Sequence, residues 1–229
     1  MRLKYAGKLE FRPIARSEFG FDFGNHISIY TDVTADQTLR DDTLYTGPSN
    51  PSIDWLDQQA YIRYSDRYVD FTLGCDYLSW GYGDQGSLLI SPTAGAFDMD
   101  SLFLKSSFVT FNWFLAQLNP MPEFIPDTNN YAPNGPKPTY GQPDPGANRY
   151  LAGTRFEFNI DHKIFISGYQ AAVCGGPGAP VDFESASPLV LIKDKQTNSS
   201  LQLNAFEGID FSLFWWENFN FYGGMIMNY

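Results

Sequence analysis

The sequence predicts an all-β protein: an antiparallel, up-and-down transmembrane β-barrel of about ten strands, forming one domain over residues 1–229 and part of a larger barrel. Three observations predict it. Apolar and polar residues alternate with period two along most of the chain. The links between alternating runs are short and long by turns. Aromatic residues, 17% of the chain, collect near the ends of the runs.

Successive strand side chains point to opposite faces, so alternation means one oily face and one wet face. In 3–12, Leu3, Tyr5, Leu9 and Phe11 oppose Lys4, Lys8, Glu10 and Arg12. In 18–33, Phe19, Phe21, Phe23, Ile27, Ile29 and Val33 oppose Glu18, Asp22, His26, Ser28 and Asp32, which reads as one strand. Residues 67–77 oppose Val69, Phe71 and Leu73 to Asp70 and Thr72; 107–118 oppose Val109, Phe111, Trp113 and Leu115 to Thr110 and Asn112. In 149–160, Tyr150, Ala152, Phe156, Phe158 and Ile160 oppose Arg149, Arg155, Glu157 and Asn159. In 200–215, Leu201, Leu203, Ile209, Phe211, Leu213 and Trp215 oppose Gln202, Asn204, Asp210 and Ser212, and 218–229 closes with Phe219, Phe221, Met225, Met227 and Tyr229. Runs 58–65, 100–106 and 162–174 are weaker. Gln170 shares the parity of Ile164 and Ile166, which a bulge would explain.

Short links are expected near 13–17, 65–67, 106–108, 161–163 and 215–218, and long ones over 34–57, 77–99, 119–148 and 175–199. Tight turns at one end and long loops at the other are the pattern of outer-membrane barrels. A bilayer offers no water to backbone amides, so spanning strands must pair and close. Each crossing needs roughly 9–11 residues, a length most runs reach. Phe11, Tyr30, Tyr64, Tyr68, Trp113, Trp215 and Trp216 are placed for an interfacial girdle. A soluble antiparallel sandwich also alternates; the sorted loops and the girdle favour the barrel.

Fifteen Lys and Arg against 26 Asp and Glu give a net charge of −11. A nucleic-acid surface needs a basic stripe, so nucleic acid is excluded as a partner. A membrane barrel is not excluded, because acid can sit in loops and a watery lumen. The chain has two cysteines, Cys75 and Cys174, and no C-x-x-C pair, which argues against zinc. Asp36, Asp41 and Asp42, and Asp98 and Asp100, read as solvated loop acids rather than a calcium loop. No metal or cofactor is expected. The opening MRLKYAGKLEFR has no apolar core and no cleavage site, and the chain ends within a strand-like GGMIMNY. Both suit a partial chain; a self-contained ten-stranded barrel is the alternative.

Residues 74–91, GCDYLSWGYGDQGSLLIS, carry the most distinctive motif. Gly81, Tyr82 and Gly83 superficially suggest a nucleotide loop, but no helix pattern follows and no Lys is placed for phosphate. The expectation is a bend anchored by Trp80 at the outer rim, its N–H toward water, with SLLIS folding inward as a plug. This stretch, followed by FDMDSLFLK and FVTFNWFLAQLNP, resembles the Wzi family of capsule-assembly outer-membrane barrels. The matching residues are Gly74, Asp76, Trp80, Gly81, Gly83, Leu88, Leu89 and Ser91. RYLAGTRFEF, with Arg149, Tyr150 and Arg155, resembles a second family segment, and SASPLVLI, with Pro188, a third. Cys75 stands where the family has Arg, and Cys174 where Tyr is common.

The resemblance implies a bacterial outer-membrane location and a lectin-like role, holding surface polysaccharide. Lipid and lipopolysaccharide would surround the barrel. Candidate glycan-binding residues in the long loops are Tyr45, Trp55, Asp127, Asn129, Asn130, Tyr131 and Tyr140: flat rings for sugar faces, amides and carboxylates for hydroxyls. The reading of the same residues as ordinary turn formers and girdle aromatics stays open. Asp22, Asp70, Arg149, Arg155 and Glu157 would line the interior. Catalysis is not expected. His26 lies on a polar face with no paired Ser and no orienting third residue, and His162 falls in a turn. A passive porin is the alternative function.

Overall fold

The structure, a computed structural model, describes residues 14–37, 54–83, 87–91, 94–118, 122–124, 140–143, 149–175, 187, 203–216 and 219–228. Ten strands build one antiparallel sheet: β1 (Ile14–Phe23), β2 (Ile27–Asp36), β3 (Asp54–Ser65), β4 (Val69–Asp76), β5 (Phe97–Lys105), β6 (Val109–Leu118), β9 (Arg149–Ile160), β10 (Ile164–Gly175), β11 (Leu203–Trp216) and β12 (Phe219–Asn228). A separate short pair, β7 (Pro122–Phe124) with β8 (Tyr140–Pro143), lies within the connection from β6 to β9. Sheet order follows chain order. No helix occurs among the described residues.

The connections sort as expected. Turns at 24–26, 66–68, 106–108 and 161–163, and the two-residue link 217–218, alternate with longer connections at 37–53, 77–96, 119–148 and 176–202. The sheet is an open meander with β1 and β12 at its edges, consistent with part of a barrel.

Three points differ from the sequence reading. Residues 18–33 are not one strand but a hairpin turning at 24–26, with Gly24 at φ 65°. Phe23 pairs with Ile27. A three-residue turn leaves its flanking pair on the same parity, so alternation runs through the bend unbroken. The link expected at 13–17 instead lies largely inside β1, and the run 3–12 lies outside the described residues. No bulge interrupts β10: Gln170 pairs in register with Thr154 and Glu207. The outer face therefore carries a polar row there.

The two faces differ sharply. Phe19, Phe21, Ile29, Ile62, Leu73, Phe156, Ile166, Ile209, Phe211 and Met225 share the outer face and are all exposed. Asp32, Thr72, Ser101, Asn112, Arg155, Ser167, Asp210 and Ser212 share the inner face and are all buried. This inverts the water-soluble pattern, in which large apolar residues are the buried ones.

Candidate functional site

The inner face is tied together by ion pairs that reach across strands. On β1, Arg16 Nε donates to Asp32 Oδ1 of β2 at 2.9 Å. On β3, Arg63 pairs with Asp76 of β4 and donates to Thr72 Oγ1 at 3.1 Å, while Gln59 Nε2 donates to the same Asp76 at 2.7 Å. On β5, Lys105 pairs with Asp70. The same face stacks Tyr30 on Tyr61, ring centroids 5.5 Å apart, with the Arg63 guanidinium 4.6 Å above Tyr61. Tyr30 thus belongs to the inner wall and not to a girdle.

The most buried ion pair is central. Arg155 of β9 is 3% exposed. Its guanidinium spans β10 and donates to both oxygens of Asp210 on β11, each at 3.0 Å. It also donates to Glu157 Oε2 at 3.3 Å. Ser167 of β10, directly opposite Asp210 in register, donates its hydroxyl to Asp210 as well. A buried carboxylate needs such partners, because its desolvation is costly.

Over this wall folds the connection from β4 to β5. Gly74 sits at φ 126° near the end of β4, and a Cβ there would collide with the Ala60 carbonyl oxygen, so only glycine fits this motif position. The chain then turns back across the sheet. Trp80 and Ile90 form an isolated antiparallel bridge, with the Trp80 amide donating to the Ile90 carbonyl at 3.3 Å. Leu78, Trp80 and Ile90 pack with Met99, Phe114, Ala116, Leu151, Tyr169 and Ala171 as one cluster. Trp80 meets Phe114 edge-on, centroids 4.8 Å apart, a geometry worth about 0.5–1.5 kcal/mol beyond area burial. Gly153 makes the seat: a Cβ there would lie 2.7 Å from Phe114 Cε1 and 2.9 Å from Trp80 Cη2.

The inward fold of SLLIS is therefore as expected, and the place of Trp80 is not. It is 3% exposed, deep on the inner face, and its Nε1 has no hydrogen-bond partner among the described residues. Apolar seating dominates the indole here, where a rim position would have favoured water.

Between the folded-in segment and β10–β12 lies a pocket of about 260 Å³ lined by Tyr82, Tyr169, Asp210, Tyr222 and Gly224, with Gly81, Gly83 and Leu88 on the segment side. The Arg155 guanidinium lies 5.0 Å from the Tyr82 ring. The Tyr82 hydroxyl is buried without a hydrogen-bond partner, and burial pushes its pKa up. Sequence reading missed this pocket. Asp210 and Tyr222 stand on the polar parity of β11 and β12, but their convergence with Tyr82 depends on how a long connection folds.

The remaining candidates scatter. Asp76 serves the Arg63 pair. Leu89 packs on the cluster, and Ser91 ends the segment. Arg149 opens β9 and Tyr150 follows it on the outer face. Pro188, Tyr45, Asp127, Asn129, Asn130 and Tyr131 lie outside the described residues. Tyr140 is in β8, its side chain also outside them. Trp55 pairs with Ala35 on the outer face, 63% exposed, near the long-connection end. His26 lies in the 24–26 turn rather than on a strand face, its Nδ1 3.2 Å from the Ser65 carbonyl oxygen. Asp98 and Asp100 belong to β5 and not to a loop. Among the described residues no three His, Cys, Asp or Glu converge as metal ligands would. Cys75 and Cys174 are not joined in a disulfide. They share one row of the sheet through Asp98, Gln117 and Tyr150, four strand steps, roughly 19 Å apart, far beyond bridging distance.

No curated protein matches the chain. The family described as capsule assembly protein Wzi matches residues 5–228, nearly its whole length, and the chain belongs to that family.

Proposed function

We propose that this member of the Wzi family forms wall in a bacterial outer-membrane barrel and holds capsular polysaccharide at the cell surface without catalysing a reaction. Lipid and lipopolysaccharide would face the apolar outer side, and the long connections would face the glycan. One observation carries the reading. Over β5, β6, β9 and β10 the inner face is covered by the described residues of the 77–91 segment, seated on Gly153, Phe114 and Tyr169, so this part of the wall presents a packed surface and not the open watery one a passive porin needs. Membership in a capsule-assembly family supports the choice of polysaccharide as partner. The ion-pair ladder fits a structural role: each buried acid is matched to a base or hydroxyl, leaving no evident acid–base pair poised for chemistry.

The test is retention of surface glycan by cells carrying the complete protein. Tyr45→Ala and Tyr131→Ala, each within a long connection, should lower the retained polysaccharide severalfold while leaving the heat stability of the barrel unchanged. Equal retention in both variants would overturn the assignment of the long connections. Planar-bilayer recordings separate the porin: the reading expects no steady large current, and such a current would replace it.

A further inference from the structure

We infer that the pocket between the folded-in segment and β10–β12 is a subsite for one neutral, hydroxyl-rich sugar ring, and this inference rests on the polysaccharide reading above. Size limits the occupant. About 260 Å³ lies below the roughly 300–1,000 Å³ of clefts that take drug-sized ligands, so a single ring fits and a long oligomer does not. The walls suit a sugar. Tyr82, Tyr169 and Tyr222 line it, and phenol rings suit the C–H face of a pyranose. The Tyr82 hydroxyl is buried, with Glu157 and Arg155 as its charged neighbours, so Tyr82 lends the pocket its ring, while Tyr222, 50% exposed, can lend a hydroxyl to a ligand. On the sheet side Gly224 lines the pocket without a side chain.

Charge fixes the class of sugar. The guanidinium nearest the pocket, Arg155, is already engaged by Asp210 and Glu157, two carboxylates to one cation. Among the described residues no Lys or Arg lines the pocket. A uronate or phosphate entering it would meet the Asp210 carboxylate with no cation left to receive it, a desolvated like-charge contact. A neutral hexose carries no such penalty.

The test uses the complete protein purified in detergent, titrated with methyl glucoside, methyl galactoside and glucuronate and followed by saturation-transfer NMR. Saturable binding of at least one neutral glycoside is expected, with glucuronate not competing. Tyr222→Ala should weaken it about tenfold or more, Tyr82→Phe should weaken it less, and Ile62→Val on the outer face should leave it unchanged. Heat-dependent gel migration checks that each variant is folded. The inference is overturned if neither neutral glycoside binds, if glucuronate binds as well, or if Tyr222→Ala binds like the parent. Failure here with cell-surface glycan still retained removes the subsite alone. Loss of retention by the parent protein removes the reading beneath it.

Discussion

At the scale of single residues, the inner face is governed by how its buried charges are matched. Arg155 holds Asp210 through two hydrogen bonds at 3.0 Å and is itself almost wholly buried. Arg155→Met keeps much of the side-chain volume but leaves Asp210 with only Ser167, and it frees Glu157. Removing one partner of a buried pair costs about 3–5 kcal/mol, so the urea midpoint in micelles should fall sharply. Arg155→Met combined with Asp210→Leu should recover most of that loss, because the buried orphan charge is gone and Glu157, with a quarter of its side chain exposed, still reaches water. A double variant as unstable as the single one would show that packing, and not charge, sets the cost. Half of this pair was legible. Arg155 stands on the polar parity of its strand and within a family motif. Its partner lies two strands away, across Ser167, and a contact over an intervening strand leaves no mark on either run.

At the scale of elements, period two carried most of the architecture, and it failed where a turn preserves parity. The hairpin at 24–26 was hidden for that reason; Asp161 and His162, at φ 52° and 56°, belong to a turn of the same length that keeps parity in the same way. The turn at 66–68 gives a pH test. Asp66 accepts from the Tyr68 amide at 2.6 Å and the Val69 amide at 2.7 Å, and the Tyr68 amide leads in holding its carboxyl below the usual range. A depressed folded pKa means the contribution is present above the unfolded value and lost as pH falls through the folded one. Hydrogen exchange at Tyr68 and Val69 should therefore stay protected at neutral pH and open only below the ordinary aspartate range. Asp66→Asn should remove that pH step. The folded-in segment was legible as a motif but not as a position, since its seat is an absence of side chain. Gly153→Val should overpack against Phe114 and Trp80 by about 1–3 kcal/mol. The measurable result is protease cleavage within 77–91 that the parent protein resists, with the strands themselves remaining protected.

At the scale of the whole molecule, the decisive property is that the apolar side chains face out. Ile209 at 56% and Met225 at 54% exposure are neighbours in register, and the same face runs through Phe156, Ile166 and Phe211. In water, each such side chain would forfeit about 1.5–3 kcal/mol of available burial. A sheet this rich in them is stable only when hydrocarbon takes the place of water against that face, with the backbone satisfied strand to strand. Depth then becomes measurable. Arg placed on the lipid face of a barrel costs about 2–4 kcal/mol near the bilayer midplane and about 0–1 near an interface. Ile209→Arg and Phe211→Arg, well within β11, should reduce folding into lipid vesicles by the larger amount. Trp215→Arg, beside the short turn at 217–218, should cost the smaller one. Asp22→Arg, on the polar parity of β1, should cost almost nothing. A flat profile, with Phe211→Arg no worse than Trp215→Arg, would mean that a protein surface and not a bilayer covers this face.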